Sequence, residues 1–166
     1  MKNKLILLLV MVLCLNLIGC GKQDLSRMIT EQEKKNAVWL NMESAEDFCS
    51  AAKKVGSGKV VISDTLDKEM KEYSEDTVFA VAVCFSSMVS ERKLEQYSYS
   101  EKSEYLEEVF VKAKKGVEKN GILVDYPKGT CEEYQFFYAF GTAEQFRSIR
   151  GQLGTSLYIA ATYQYK

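Results

Sequence analysis

Val78-Phe79-Ala80-Val81-Ala82-Val83-Cys84-Phe85 is an unbroken apolar run near the middle of the chain. Phe79, Val81, Val83 and Phe85 share one side at a period of two, and Val78, Ala80, Ala82 and Cys84 share the other. Short length, β-branched content and this alternation predict a strand at residues 78–85. Downstream, Leu106, Val109, Phe110, Ala113 and Val117 recur at helical spacing, which predicts a helix over residues 103–119. Asn120-Gly121 is a stop signal, since glycine accepts the left-handed backbone that ends helices. Residues 122–126 read as a strand, Pro127-Lys128-Gly129-Thr130 as a turn, and residues 132–140 as the returning strand. Thr142-Ala143-Glu144-Gln145 has capping-box spacing, and the helix it opens carries Phe146, Ile149 and Leu153 on one face. Gly151 and Gly154 weaken its end, and residues 157–165 read as a last strand.

The order β-α-β-β-α-β is that of the ferredoxin-like split arrangement. It predicts an α+β domain built on a four-stranded antiparallel sheet, with two helices on one face. The other face is expected to be open or covered by an N-terminal helical extension. Within that extension, Ser44 opens a helix to Val55 with Phe48, Ala52 and Val55 on one side, and Gly56-Ser57-Gly58 ends it. Val60-Val61-Ile62 is a short apolar run. Ser63 or Asp64 caps a further helix bearing Leu66, Met70 and Tyr73. No internal repeat or low-complexity block interrupts residues 37–166, which are read as one domain with a ferredoxin-like core at about 77–166.

The first residues read differently. Lys2 and Lys4 precede an apolar run from Leu5 to Ile18, broken only by Asn16, which is short for a membrane-spanning helix and of signal-peptide length. It ends in Leu17-Ile18-Gly19-Cys20. This resembles the bacterial lipobox. The resemblance implies that Cys20 receives a diacylglyceryl group on its thiol and that residues 1–19 are then removed. It places the remainder on the extracytoplasmic face of the cell membrane, held by two acyl chains, which anchor durably where one does not. Residues 20–36 follow as the lipidated cysteine and a polar tether of roughly 20 Å span if flexible, within which Thr30-Glu31-Gln32-Glu33 is a helix start.

Loss of Lys2 and Lys4 leaves 20 basic side chains against 23 acidic ones, a net charge of about −3. That balance disfavours a nucleic-acid partner, which needs a basic patch. Cys49, Cys84 and Cys131 remain beside Cys20, an odd number that allows at most one internal bridge. Cys49 and Cys84 read more readily as small core residues than as a bridged pair.

The chain contains no histidine, which removes the commonest general base and metal ligand. No phosphate loop, calcium loop or cysteine–histidine metal spacing occurs, so no cofactor or metal is expected. Carboxylate pairs occur at Glu75-Asp76, Glu107-Glu108 and Glu132-Glu133. A converging pair could hydrolyse a glycosidic bond, but these positions read as solvated surface. So does the lysine cluster Lys112, Lys114 and Lys115. Tyrosine is the distinctive feature: of ten, only Tyr73 precedes residue 96. Tyr134, Phe136, Tyr138 and Phe140 alternate along one strand, and Leu157, Ile159, Ala161, Tyr163 and Tyr165 along another. The plain reading is a sheet face packed under helices. The functional reading is a binding face formed by Tyr126, Tyr134, Tyr138 and Tyr158, since tyrosine couples a large apolar body to a hydrogen-bonding tip.

One further resemblance spans Val60 to Tyr163. Val60-Val61-Ile62-Ser63-Asp64, Glu75-Asp76 before the strand at 78–85, Tyr138-Ala139-Phe140-Gly141-Thr142-Ala143-Glu144-Gln145-Phe146 and Leu153 together resemble the subtilisin propeptide and inhibitor family. The resemblance implies a ferredoxin-like fold and a protease-inhibiting or folding-assisting role. Inhibitory members thread a C-terminal tail into the protease. Here the strand read over residues 157–165 leaves almost no tail before Lys166 to thread, so the resemblance carries the fold further than the inhibition. The function expected from the sequence is a non-enzymatic, membrane-anchored lipoprotein that binds an extracytoplasmic protein or peptide. A prodomain-type inhibitor or chaperone is the second reading and a carboxylate-based hydrolase the third.

Overall fold

The computed structural model describes residues 27–40, 43–126, 135–151 and 154–161. Its centre is the strand at the middle of the sequence, β3 (Val78–Cys84), buried along its whole length. Six strands form one sheet: β1 (Val38–Trp39), β2 (Val60–Ile62), β3, β4 (Leu123–Asp125), β5 (Phe136–Thr142) and β6 (Leu157–Ala161). Their order is β2-β6-β3-β5-β4, with β1 also pairing with β3. Six α-helices lie among the described residues: α1 (Glu31–Lys35), α2 (Ala45–Lys53), α3 (Asp64–Glu69), α4 (Glu91–Gln96), α5 (Tyr99–Glu118) and α6 (Ala143–Ser148).

The protein is α+β, but the sheet is not the four-stranded antiparallel one expected. β3 runs antiparallel to β5 and β6, and β4 antiparallel to β5. β2 joins β6 in parallel and β1 joins β3 in parallel, so the sheet is mixed. The N-terminal extension therefore supplies strands as well as helices. The reason lies at the outer edge of β6, where unpaired backbone groups need partners. Val60-Val61-Ile62 supplies them, continued by Ser63 N–H donating to Ile159 O at 2.8 Å and Leu157 N–H donating to Lys59 O at 2.9 Å.

The two faces of β3 are both covered. On one, Phe79, Val81, Val83 and Phe85 pack with Phe137, Leu157 and Ile159 under Leu66, Phe110, Val117 and Phe146 from α3, α5 and α6. On the other, Ala82, Cys84, Phe136, Tyr158 and Ala160 pack under Phe48 and Ala52 of α2. Beside them, Val78, Ala80 and Phe140 pack under Ile29. Burying a side chain the size of Phe48 contributes about 1.5–3 kcal/mol, which holds α2 on this face.

Residues 27–36, read as tether, are docked here. Ile29 N–H donates to Gly121 O at 2.8 Å, and Gln145 Nε2 donates to Arg27 O at 2.9 Å. Thr30 and Glu33 close a capping box at the expected helix start, on α1. Thr142 and Gln145 close another on α6. The helix expected from residue 103 begins at Tyr99, because Ser98 and Glu101 form a third box. In the Ser- and Tyr-bearing stretch before it, α4 forms a separate helix. The last strand is described to Ala161, and the strand expected from residue 132 begins at Phe136.

Candidate functional site

The expected site residues divide into those the structure describes and those it does not. Leu17, Ile18, Gly19, Cys20, Tyr134 and Cys131 lie outside the described residues, as do Glu132 and Glu133. Tyr126, Tyr138 and Tyr158 are described, and they do not share one face. Register decides this. Leu123 pairs with Phe140 and Asp125 with Tyr138, so Leu123 and Asp125 take the face of Tyr138. Tyr126, one residue on, takes the opposite side. Its ring centroid lies 4.3 Å from that of Phe110 on α5.

Tyr158 is on the face of Tyr138 but is only 7% exposed. Its hydroxyl donates to Glu43 Oε2 at 2.9 Å. Ser63 Oγ donates to the same carboxylate, at Oε1, at 2.6 Å. Burial first, and then the neighbouring Glu43 charge, push the Tyr158 phenol far above its ordinary range. Ser63 thus holds Glu43 rather than capping α3 with its side chain. No sequence pattern marks Glu43, which precedes Ser44, the cap of α2. Glu43 and Asp47 line a shallow groove of about 560 Å³ with Tyr158 and Val61. Both carboxylates are engaged locally, since Ser44 Oγ donates to Asp47 at 2.6 Å.

Tyr138 is half-buried and touches both apolar clusters on its face, the one under α2 and the one under Ile29. It lies at the seam between the two covers. Trp39 of β1 sits over that seam, with its ring 5.6 Å from Tyr138 and 6.0 Å from Phe140, both edge-to-face. Trp39 is nevertheless 53% exposed. A tryptophan fixed by two aromatic neighbours and half open to solvent costs little further ordering on contact with a partner. Lys34 Nζ lies 5.4 Å from the Phe140 ring centroid and pairs with Asp125 at 2.7 Å, which gives the patch a charged border. Trp39 reads from the sequence only as the first apolar anchor, because its strand is two residues long and pairs with a segment forty residues away.

A second cleft, of about 680 Å³, opens where β3 ends. Cys49 and Lys53 of α2, Cys84, Ser86 and Ser87, Glu91 and Leu94 of α4, and Gln135 line it. Cys84 is buried and Cys49 half-buried. Burial pushes both thiols upward, against Lys53 near Cys49 and against hydrogen bonding with Ser86 at Cys84, whose thiol donates to Ser86 Oγ at 3.2 Å. Cys84 belongs to the apolar cluster under α2, and Cys49 packs, partly buried, against its edge. Gln135, with φ of 52°, takes a left-handed backbone that side chains rarely adopt.

The remaining described carboxylates of the expected pairs, Glu75, Asp76, Glu107 and Glu108, are exposed. Lys112 and Lys115 are exposed as well, and Lys114 pairs with Glu118 at 3.7 Å. Among the described residues no group of three or more metal-ligating side chains gathers, and no helix is long and apolar enough to cross a membrane. No family model matches the chain, and no curated protein or solved structure matches it significantly.

Proposed function

We propose that this chain is a lipid-anchored bacterial lipoprotein without catalysis of its own, which binds an extracytoplasmic protein or peptide. The lipobox-like Leu17-Ile18-Gly19-Cys20 supports the anchor, with diacylglyceryl on Cys20. The observation that carries the binding role is the Trp39–Tyr138 pair, a half-exposed indole held edge-to-face at the seam of a tyrosine-bearing sheet face. Tryptophan and tyrosine are the side chains most enriched where truncation costs binding energy. The binding face is therefore narrower than the sequence implies. Trp39 and Tyr138 form it, Tyr158 is buried on the same face with its hydroxyl on Glu43, and Tyr126 lies on the opposite side. The partner presents an apolar side chain to the indole.

The finer fold assignment belongs with this reading. The block β6-β3-β5-β4 has the antiparallel order of a ferredoxin-like sheet, which supports taking β1 and β2 as additions to such a core. That block also favours the second reading, a subtilisin-prodomain-type inhibitor or chaperone.

Affinity capture tests the binding role. Full-length wild-type and Trp39→Ala proteins, purified in detergent, are presented to the extracytoplasmic fraction of the native host. A protein retained by the wild type and lost with Trp39→Ala is the expected result. Retention by both refutes the Trp39 patch, and retention by neither refutes a protein partner. A subtilisin-like protease as the captured protein establishes the second reading.

A further inference from the structure

We propose that a pocket on the α5 side of the sheet is a site for a small tetrahedral oxyanion, held by Ser57, Tyr105, Lys112 and Ser156. The anion is inorganic phosphate or the phosphate of a monoester. The pocket has a volume of about 320 Å³, and these four residues line it with Met88 and Val109, which belong to or pack on the apolar cluster under α5. Three separate parts of the chain converge there. Tyr105, Val109 and Lys112 recur at i, i+4 and i+7 and so share one face of α5. Ser57 lies between α2 and β2, and Ser156 immediately precedes β6. Gly58 N–H donates to Ser156 Oγ at 2.7 Å, which ties the first loop to the start of β6. Ser90 N–H donates to Tyr105 Oη at 2.9 Å, which ties α5 to the segment after β3.

These groups have donors left over. A hydroxyl carries one proton and two lone pairs. At Ser156 and Tyr105 a backbone N–H occupies a lone pair, and among the described residues nothing accepts the proton. Ser156 is only 4% exposed, so the pocket it lines is where an acceptor for that proton can stand. Ser57 makes no hydrogen bond to a described residue, and Lys112 forms no ion pair with one, although Glu108 stands one turn earlier on α5. Ser87 differs, having spent its proton on Ala52 O at 2.5 Å. No Asp or Glu lines the pocket, in a chain with 23 acidic residues against 22 basic ones. Lys93 Nζ, 5.0 Å from the Tyr105 ring centroid, adds a second positive charge beside it. Donors without acceptors, a cation without a counter-ion and a wall free of carboxylates select an anion. The donors come from separate walls, so an ion with oxygens on every side uses more of them than a planar carboxylate, and each bond to a charged acceptor is about twice as strong as a neutral one. The volume is at the low end of the roughly 300–1,000 Å³ typical of small-molecule sites, which suits an ion or a small monoester. The proposal rests on this pocket and is independent of the binding role of Trp39.

The test titrates the full-length protein, in detergent and chloride buffer, with inorganic phosphate and separately with glycerol 3-phosphate, read by calorimetry. Saturable binding is the expected result, and the more tightly bound probe tells the free ion from a monoester. Lys112→Gln is expected to weaken binding about tenfold or more, the loss of one bond to a charged group, and Ser57→Ala by a smaller factor. Both side chains are exposed and hold no described partner, so the fold does not depend on them. Lys115→Gln, exposed on α5 but outside the pocket, is expected to leave binding unchanged. No saturable binding of either probe overturns the proposal, and so does wild-type affinity in both Lys112→Gln and Ser57→Ala. Equal weakening by Lys112→Gln and Lys115→Gln also overturns it, because general surface charge then attracts the anion. Full displacement of phosphate by an equal concentration of acetate overturns the tetrahedral preference.

Discussion

Tyr158→Phe removes one oxygen from a buried position and leaves the ring in place. The hydroxyl donates to Glu43 at 2.9 Å, and Ser63 donates to the same carboxylate, so Glu43 keeps one protein donor in the variant. A hydrogen bond to a charged acceptor contributes about 1.5–3 kcal/mol, which is the expected advantage of the wild type near neutral pH. That advantage should be lost in alkali. The folded protein holds the phenol neutral far above the ordinary value of 10.0, through burial first and then the hydrogen bond to Glu43 and its charge. A folded-state pKa raised above the unfolded one gives stability that is complete below the unfolded value and lost as pH rises towards the folded one. Above about pH 10, each pH unit therefore removes about 1.4 kcal/mol from the wild type and nothing from Tyr158→Phe. The two proteins should reach equal stability about one to two pH units above the ordinary tyrosine value. Lysines and the other tyrosines titrate in both proteins and cancel in the difference. Urea denaturation of both, in steps from neutral pH into this window, measures it. Difference curves that stay parallel through the alkaline range would refute a buried, Glu43-bound phenol.

Two further outcomes follow from single contacts. Gly121 has φ of 76°, and an added Cβ would collide with the backbone carbonyl of Arg27, so Gly121→Ala should cost at least about 1 kcal/mol in urea denaturation and speed proteolysis within residues 27–36. Burial raises the Asp67 carboxyl, but hydrogen bonds from Arg147 at 3.0 Å and from Lys71 outweigh it and hold the group below its ordinary value of 3.8. The stability this gives is present above that value and lost as pH falls through the lower folded one, so Arg147→Met should be less stable than wild type by about 1 kcal/mol at neutral pH and converge with it in acid. Urea midpoints at neutral pH and below pH 3 check this.

Local signals in the sequence were legible where the physics is local. β3 is readable from alternation alone, because its apolar sides define two faces without reference to any partner. Thr142–Gln145 is readable as a capping box and Thr30–Glu33 as a helix start, because reciprocal hydrogen bonds need only three-residue spacing. Ser98–Glu101 has that spacing too, but the polar stretch before residue 103 carries no apolar periodicity, which hid both α4 and the first turn of α5. What depends on distant partners was not legible. β1 and β2 are two and three residues long, and only their parallel ladders to β3 and β6 distinguish them from loop. The opposed faces of Tyr126 and Tyr138 follow from the β4–β5 register, which alternation within each strand does not fix. Glu43 meets Tyr158 across 115 residues, and nothing near either residue announces the other. The candidate site was therefore half readable. The tyrosine-bearing face is visible in the sequence, and the Trp39 that sits on it is not.

The proposed placement of the domain outside the cytoplasmic membrane rests on Cys20, and so does the proposed class of partner. Metabolic labelling with a radioactive or clickable fatty acid, in a bacterial host expressing wild-type or Cys20→Ala protein, tests it directly. Incorporation into the wild type, its recovery in the detergent phase, and loss of both in Cys20→Ala are the expected result. A wild-type protein that takes up no lipid, or a Cys20→Ala protein that is still processed and labelled, would contradict the anchored lipoprotein.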